Sequence, residues 1–525
     1  MRDFHQPGRS AVLASNGICA TSHPLAARTA IDILARGGNA MDAAIAGAVL
    51  LGFCEPQMTG IGGDCFVLFT DPGATNVKAL NGSGRAPAAA SAQALRDDGH
   101  NTVPVYSPHA VTTPCAIESF CRLSEDHGKL GLDALLAPSI RYADEGVPVA
   151  PRVALDWPED AKVLQGHGVT HFSNGGKILK TGDLFRAPGQ AEVLRRIAKN
   201  GASAFYEGEV ANDMLAALTA LGGVHTTEDF ANRSVDYTTP ISGTYKGTDL
   251  IEHPPNGQGA TAILLLNILA HFDIAAMDPF GAQRAHIEAE ASKLAYDARD
   301  RILGDPDTTA RLEHMLSPET AARLAALIDP KKAMPDPAPV AEAVHKDTVY
   351  ITVIDRDRMA VSLIYSIFHG FGSGIASEKF GILLQNRGAG FNLTPGHVNE
   401  LVPGKRPLHT IIPAMLGQND QVSTSFGVMG GAYQPCGHAR FMSNMLDFGM
   451  DPQSANDAPR CFAESEGLKI ERGYSDATRQ ALADMGHNLI TPHEPIGGAQ
   501  SITIRENGVL EGSSDPRKDG CALGY

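Results

Sequence analysis

Residues 345–375 read HKDTVYITVIDRDRMAVSLIYSIFHGFGSGI, and this stretch decides how the rest of the chain is interpreted. Two apolar runs rich in Val, Ile, Thr and Tyr, residues 348–354 and 359–367, flank the charged residues 355–358. β-Branched and aromatic residues in two such runs, separated by a short polar turn, predict an antiparallel hairpin.

The junction at the start of this hairpin is its most informative feature. Residues 331–347, KKAMPDPAPVAEAVHKD, hold three prolines and mixed charge, which predicts an exposed and weakly structured loop. A cut between Asp347 and Thr348 would leave a strand with a free N-terminal threonine. Its α-amine titrates near neutral pH and can act as base for the threonine's own hydroxyl. The alternative is that Thr348 merely opens a structural strand, and the residues of this stretch alone leave both interpretations open.

A glycine-rich turn lies in residues 37–69, GGNAMDAAIAGAVLLGFCEPQMTGIGGDCFVLF. An alanine-rich run predicts a buried helix over residues 40–51, and an apolar run predicts a buried strand over residues 65–70. The turn between them lacks the GK[ST] ending of a phosphate loop and runs from helix to strand. Phosphate binding is therefore not expected there.

Two other glycine-containing motifs carry candidate site residues. Arg85 stands in NGSGRAP, where neighbouring glycines allow a ligand to approach the backbone closely. Gly430 and Gly431 close an apolar run and precede a helical one. Two adjacent backbone N–H groups at such a turn make a natural oxyanion hole.

The run DTVYITVIDRDRMAVSLIYS, followed by FGSGI, resembles the autoprocessing junction of the γ-glutamyltransferase family of N-terminal nucleophile (Ntn) hydrolases. Family-like motifs continue over about residues 12–525. The resemblance implies that Thr348 is the nucleophile and that Ser366 on the return strand assists it. It also implies that Gly430 and Gly431 form the oxyanion hole.

The same resemblance implies a fold and a chain division. The expected fold is α+β, an αββα sandwich of two stacked antiparallel sheets flanked by helices. Autocleavage is expected to give a large chain, residues 1–347, and a small chain, residues 348–525, which together form one composite domain. The two chains of one precursor are expected to stay associated, with a dimer of these heterodimers as a further possibility.

The substrate-binding positions depart from the γ-glutamyl pattern. Where γ-glutamyl enzymes place an Asn and acidic residues for the substrate's amine, this sequence has Phe368, Arg387 and Gly390. The serine pair that helps to hold the carboxylate is replaced by His409 and Thr410. These positions offer no acid for an ammonium group, and Arg387 would repel one.

The family's carboxylate-binding arginine aligns with Ser83, and Arg85 lies two residues further on. We expect Arg85 to bind the substrate's carboxylate from a shifted loop. A small carboxylate without an amine is therefore the expected substrate, and Phe368 shortens the pocket in favour of an oxamate-like amide, as in purine breakdown. The alternatives are a γ-glutamyltransferase or glutathione hydrolase, a glutaryl (cephalosporin-type) acylase, and a non-catalytic scaffold protein.

The net charge and the cysteine pattern limit the kinds of partner and the cellular location to be expected. The chain has 525 residues and a formal net charge of −16, which argues against nucleic acid or an anionic membrane as a partner. Its eight cysteines are scattered, and the first residues lack an apolar signal segment, so a cytoplasmic protein with reduced thiols is expected.

No cofactor and no metal are expected. The helix predicted over residues 282–301 carries charges at i, i+4 spacing, which favours a solvated charged face. His286 and Glu290 lie one turn apart on it and could bind a metal, but the sequence indicates no third ligand.

Overall fold

The computed structural model describes His5, residues 8–334 and residues 348–525. The loop predicted over residues 331–347 lies mostly outside these residues, and so does Asp347. The strands are β1 Val12–Ala14, β2 Ile18–Thr21, β3 Asp64–Asp71, β4 Thr75–Gly82, β5 Val147–Pro148, β6 Leu184–Phe185, β7 Asp236–Thr238, β8 Ile241–Tyr245, β9 Thr248–Glu252, β10 Val349–Ile354, β11 Ala360–Ser366, β12 Ala414–Gln418, β13 Gln421–Met429, β14 Cys461–Glu464, β15 Gly467–Ile470, β16 Leu489–Ile490, β17 Gly498–Ile504, β18 Leu510–Ser514 and β19 Cys521–Gly524.

The α-helices are α1 Pro24–Ala35, α2 Ala40–Cys54, α3 Ala92–Asp97, α4 Ala116–His127, α5 Leu132–Glu145, α6 Pro151–Asp160, α7 His167–His171, α8 Pro188–Asn200, α9 Ser203–Tyr206, α10 Gly208–Thr219, α11 Thr227–Ala231, α12 Gly259–Leu269, α13 Ala282–Ile302, α14 Leu312–Leu316, α15 Pro318–Ala325, α16 Gln434–Leu446, α17 Pro452–Asp457 and α18 Asp476–Asp484. None of the helices in the described part of the chain is both long and apolar enough to cross a bilayer.

The predicted hairpin is confirmed as β10 and β11, which pair antiparallel from Val349–Tyr365 to Ile354–Ala360. The aspartate that begins the turn explains its tightness. The Asp355 carboxylate accepts hydrogen bonds from the backbone N–H groups of Asp357 and Met359, at 3.0 and 3.1 Å. Its other oxygen accepts one from Ala40 at the start of α2, so the turn is tied to the helix that covers the hairpin.

Fourteen strands form two antiparallel sheets joined at one corner. The front sheet has the order β7-β4-β3-β11-β10-β2-β19, and the back sheet has the order β8-β9-β12-β13-β17-β18-β1. A single residue pair between β4 and β13, Thr75 with Gln421, connects them. The hairpin lies in the middle of the front sheet.

The two sheets pack face to face, and the contacts fix how β10 lies against β13. The Tyr350 ring lies on Gly427, where a Cβ would come within 2.3 Å of the ring, so no larger residue fits. Two residues further along β10, the Thr352 hydroxyl is 2.7 Å from the Ser425 hydroxyl. The strands therefore run in opposite directions across the interface, and the start of β10 lies opposite the end of β13.

Helices cover both outer faces, which confirms the αββα sandwich. The fully buried helix α2 packs on the front sheet, where a Cβ at Gly47 would be 2.4 Å from the Ile351 side chain. Helices α12 and α16 share a core with β9, β12 and β13 of the back sheet.

The prediction of a solvated charged face on residues 282–301 is wrong. Within α13, Arg284, His286, Glu290 and Arg299 are all buried. The helix lies beneath the β14–β15 hairpin and α18 rather than at the surface, and its Glu288 pairs with Arg440 of α16 as well as with Arg284 of the same helix. Charge spacing alone could not distinguish a solvated helix from one whose charges meet partners on other elements.

Candidate active site

Thr348 and Ser366 lie side by side at one end of the hairpin. Thr348 immediately precedes β10 and Ser366 ends β11, so the hairpin register places them opposite each other. Both are only 1% exposed, and the Thr348 hydroxyl donates to the Ser366 hydroxyl at 3.4 Å. The structure therefore brings together the two residues for which the sequence predicts the roles of nucleophile and helper.

The pair belongs to a row that continues across the front sheet. In the β11–β3 register Ser366 is opposite Asp64, and the β3–β4 register continues to Ser83 just beyond β4. Opposite residues of antiparallel strands project from the same face. Two residues inward from Thr348 and Asp64, Tyr350 and Phe66 belong to the apolar cluster that also holds Met429 of the back sheet. The row therefore faces the space between the two sheets.

Phe368 connects Ser366 to a buried cation. Its backbone N–H donates to the Ser366 hydroxyl at 2.9 Å, and its φ of +78° is a left-handed conformation that a phenylalanine adopts at an energetic cost. The Arg387 guanidinium carbon lies 4.0 Å from the centre of the Phe368 ring, a close cation–π contact.

Arg387 carries unused donors into this buried site. It is 1% exposed, and its Nη1 donates to the Thr410 hydroxyl at 2.9 Å. Its Nε and Nη2 have no hydrogen-bond partner within the described residues. These two N–H groups lie along one edge of the guanidinium, the geometry that binds a carboxylate with two parallel hydrogen bonds. Burial lowers the pKa of Arg387 to about 9, which still leaves it cationic at neutral pH.

The glycine pair follows β13 and is linked to the same site. Gly430 has a φ of +124°, and a Cβ there would lie 3.0 Å from the Gly497 Cα, so only glycine fits the turn without strain. The Gln258 side chain donates to the carbonyls of both Gly431 and Thr410, at 3.1 and 2.6 Å. Gln258 thus connects the turn that carries the glycine pair to the residue that holds Arg387.

His409 and Asp64 form a buried pair beside this group. His409 Nε2 lies 3.3 Å from an Asp64 carboxylate oxygen, and both residues are fully buried. Burial, with the nearby Arg387 cation, lowers the pKa of His409 well below its usual value, so the imidazole is neutral. Its Nδ1 accepts from Ile411 N–H at 3.4 Å, which leaves the proton on Nε2 to be donated to Asp64.

Asp64 is a residue that the sequence analysis missed, and it corrects the statement that the pocket holds no acid. Its other carboxylate oxygen accepts from the N–H groups of Gly84 and Cys115, at 3.3 and 3.4 Å. Burial raises its pKa to about 7, against the lowering effect of Arg387. The available signal was a charged residue at the head of an otherwise apolar strand, directly after the glycine turn.

Arg85 occupies a different environment. Its side chain is 39% exposed, donates to the Gly404 carbonyl at 2.9 Å, and lies 3.7 and 3.9 Å from the carboxylates of Asp236 and Asp305. The contacts of Arg85 thus place it in a carboxylate-lined cluster, whereas Arg387 contacts Phe368 and Thr410. A role for Arg85 in substrate binding stays a prediction.

The structure supplies the third group that the possible metal site lacked. Ligand atoms of His286, Glu290 and His487 lie within 4.8 Å of one another. The polar atoms already have partners, however. The two imidazoles contact each other at 2.8 Å, and the Lys293 ammonium lies 2.9 Å from the Glu290 carboxylate, where it would oppose a metal cation.

Comparison with known proteins identifies the family. The family model described as gamma-glutamyltranspeptidase matches residues 26–525. The chain belongs to the gamma-glutamyltranspeptidase family. Within this family it is 35% identical over 526 residues to the glutathione hydrolase-like YwrD proenzyme of Bacillus subtilis, covering 98% of this chain and 99% of that protein. It is 33% identical over 535 residues to the oxamate amidohydrolase proenzyme of Klebsiella pneumoniae, covering 98% and 100%.

Solved structures place this gamma-glutamyltranspeptidase family member in the same fold. The cephalosporin acylase from Bacillus halodurans superposes with a TM-score of 0.92 at 37% identity, over 100% of this chain and 99% of that one. The predicted membership in the family and the Ntn-hydrolase sandwich are both confirmed. The protein is accordingly an Ntn hydrolase of the gamma-glutamyltranspeptidase family.

Proposed function

We propose that this protein is an autoprocessing threonine amidohydrolase that acts on the amide of a small carboxylic acid. The observation that carries the proposal is Arg387, a buried cation with one free N–H edge, linked through Phe368 to Ser366 and so to Thr348. A substrate carboxylate on that edge would bring a neighbouring amide carbon toward the Thr348 hydroxyl.

The chemistry follows from the residues around Thr348. Its hydroxyl first attacks the carbonyl of Asp347, and water then splits the ester to give chains 1–347 and 348–525. The freed α-amine serves as base in turnover, because it titrates near neutral pH. Ser366 accepts a hydrogen bond from the nucleophile and orients it.

In this proposal, Gly430 and Gly431 stabilise the negatively charged oxygen of the tetrahedral intermediate. Tyr350 lies on Gly427 and Thr352 lies beside Ser425, so counting back two residues on β10 brings Thr348 opposite Met429. Gly430 and Gly431 come next along the back sheet, where their N–H groups can stabilise the tetrahedral intermediate.

The two chains should remain one body after the cut. The hairpin β10–β11, which belongs to the small chain, pairs on one side with β2 and on the other with β3, both from the large chain. These ladders do not involve the bond between Asp347 and Thr348. We therefore propose a non-covalent heterodimer of the two chains, and a cytoplasmic location remains a prediction.

An oxamate-like amide is the substrate we favour, because the Phe368 ring packs on the Arg387 guanidinium and would shorten the pocket. The second candidate is a glutaryl amide, favoured by the similarity to a cephalosporin acylase. A γ-glutamyl amide would need an acceptor for its ammonium group. Asp64 is the nearby acid, but His409, Gly84 and Cys115 already donate to it.

Ammonia release from oxamate and from glutaramate, measured beside chromogen release from a γ-glutamyl anilide, tests this proposal. Turnover of either small-acid amide, and its loss in Thr348→Ala, is the expected result. Turnover of the γ-glutamyl anilide alone would refute the proposed preference for an acid without an ammonium group. If the Thr348→Ala protein were cut and active like the wild type, the assignment of the nucleophile would be wrong.

A further inference from the structure

Asp64 brings a carboxylate close to the position where the proposed reaction creates another one. It stands opposite Ser366 in the β11–β3 register, with both side chains on the face that carries Thr348. Opposite side chains in an antiparallel pair have Cβ atoms about 5 Å apart. Thr348 lies opposite Ser366 on the other side, its hydroxyl 3.4 Å from that of Ser366, so two such steps put an acyl group on Thr348 within roughly 10 Å of Asp64.

The proposed substrate and its product differ by one charge at that position. Hydrolysis converts R–CO–NH₂ and water into R–COO⁻ and NH₄⁺, so the amide of a dicarboxylic acid enters as a monoanion and leaves as a dianion. Arg387 holds the carboxylate that both species share and cannot tell them apart. Discrimination has to come from a group that faces the reacting carbon.

We propose that Asp64 is a specificity-determining residue that repels the newly formed carboxylate and so favours the amide substrate over the dicarboxylate product. This inference rests on the proposed function. The three N–H donors of His409, Gly84 and Cys115 hold the Asp64 carboxylate in place, and no salt bridge to Arg387 is present among the described residues. Asp64 therefore keeps its negative charge available to act on the product.

A change of the product-inhibition constant with pH can be assigned to Asp64, because the other side chains around it do not change their charge near neutral pH. The ionisable groups that influence or contact Asp64 belong to Cys65, Cys115, Arg387, Arg406 and His409, and His253 in turn influences His409. Burial raises the pKa of both thiols and lowers the pKa of both imidazoles, so these four are neutral. The two guanidiniums are cationic, and the Thr348 α-amine is the remaining group that titrates in this range.

The test compares product inhibition in the wild type and in Asp64→Asn. The probes are oxalate as competitive inhibitor and oxamate as substrate, or glutarate and glutaramate if those are turned over. Two like charges about 10 Å apart in a partly desolvated site repel enough to change Ki roughly tenfold or more. We expect Asp64→Asn to lower the Ki of the dicarboxylate by that factor at about pH 8, with a much smaller change in the KM of the amide.

Both proteins retain the Thr348 α-amine, so its titration affects both Ki values alike. The ratio of the wild-type Ki to the variant Ki therefore reports the effect of Asp64. We expect that ratio to fall toward one as pH drops below about 7, where wild-type Asp64 takes up a proton. An unchanged or higher Ki in the variant, or a ratio that does not vary with pH, would overturn the inference.

Two controls keep the result interpretable. Asp64→Ser removes the same charge with a smaller side chain and serves if the Asn variant does not fold. Glu471→Gln removes a different buried carboxylate, paired with Arg517 at 2.6 Å, and should leave Ki unchanged. Loss of turnover for every small-acid amide would instead mean that the proposed function has failed, which is a separate outcome from turnover with an unaltered Ki.

Discussion

Replacing Arg387 with glutamine tests the substrate pocket most directly. The variant removes the Nε and Nη2 donors, which have no partner among the described residues, together with the only charge that we assign to substrate binding. Charge-assisted hydrogen bonds contribute about 1.5 to 3 kcal/mol each. Two of them amount to about 3 to 6 kcal/mol, which corresponds to a loss of between about 10² and about 10⁴ in kcat/KM.

The Arg387→Gln variant should lose activity without a comparable loss of stability. Arg387 is a buried cation whose pKa is lowered by desolvation, so removing it also removes a desolvation cost. We therefore expect the Arg387→Gln protein to be cut normally and to melt within a few degrees of the wild type. The assays are ammonia release over a range of substrate concentrations and a thermal melt of the same preparation.

Arg85→Gln is the matched control, because Arg85 was the arginine that the sequence favoured for the carboxylate. Its side chain is 39% exposed and is paired with Asp236 and Asp305. Exposed pairs of this kind contribute little, so kcat/KM should stay within about twofold of the wild type. Our reasoning is refuted if Arg85→Gln loses activity while Arg387→Gln keeps it.

The remaining predictions concern processing, the oxyanion hole and pH. Thr348→Ala should stay a single chain near 55.3 kDa on a denaturing gel, while Ser366→Ala should be cut about tenfold or more slowly; normal cutting of both would contradict the assignment. Gly430→Ala, whose Cβ would lie 3.0 Å from the Gly497 Cα, should lower kcat by about 10² or more, and wild-type kcat would exclude an oxyanion role. Because burial raises the pKa of Asp64 to about 7, the folded protein keeps a proton that the unfolded chain loses near about pH 4, so stability falls as pH rises between these values. As pH rises through that range, the melting temperature of Asp64→Asn should therefore increase by a few degrees relative to that of the wild type. A difference between the two melting temperatures that does not vary with pH would exclude this titration.

Local patterns predicted much of the fold. Two continuous runs rich in β-branched and aromatic residues, one on each side of a charged turn, predicted β10 and β11 to within one residue, and the alanine-rich run predicted α2. The stacking of two sheets was predicted only through the family resemblance, and their connection at Thr75 and Gln421 was not predicted, because the pattern of a single strand carries no information about pairing between distant segments.

The site was predicted less completely. Thr348 was singled out by the junction before β10 together with the family resemblance, and Ser366 and Phe368 were singled out by the resemblance alone. Asp64 was missed because its partner in the row, Ser366, lies about 300 residues away in sequence, and only strand register brings them together. The sequence also could not show that Arg85 and Arg387 have different environments, since this depends on which carboxylates each side chain meets after folding.

The crossing of β10 over β13 has a consequence for the life of the newly made chain. The proposed nucleophile, Thr348, and the glycine turn come from different sheets, and the packing of Tyr350 on Gly427 is what would bring them together. A chain that has formed its hairpin but has not stacked its sheets possesses the threonine without the oxyanion hole. If the chain is cut at Thr348 as we propose, scission is a covalent record that the whole sandwich was assembled, and the ratio of cut to uncut chain in a cell would measure how much of the protein has folded.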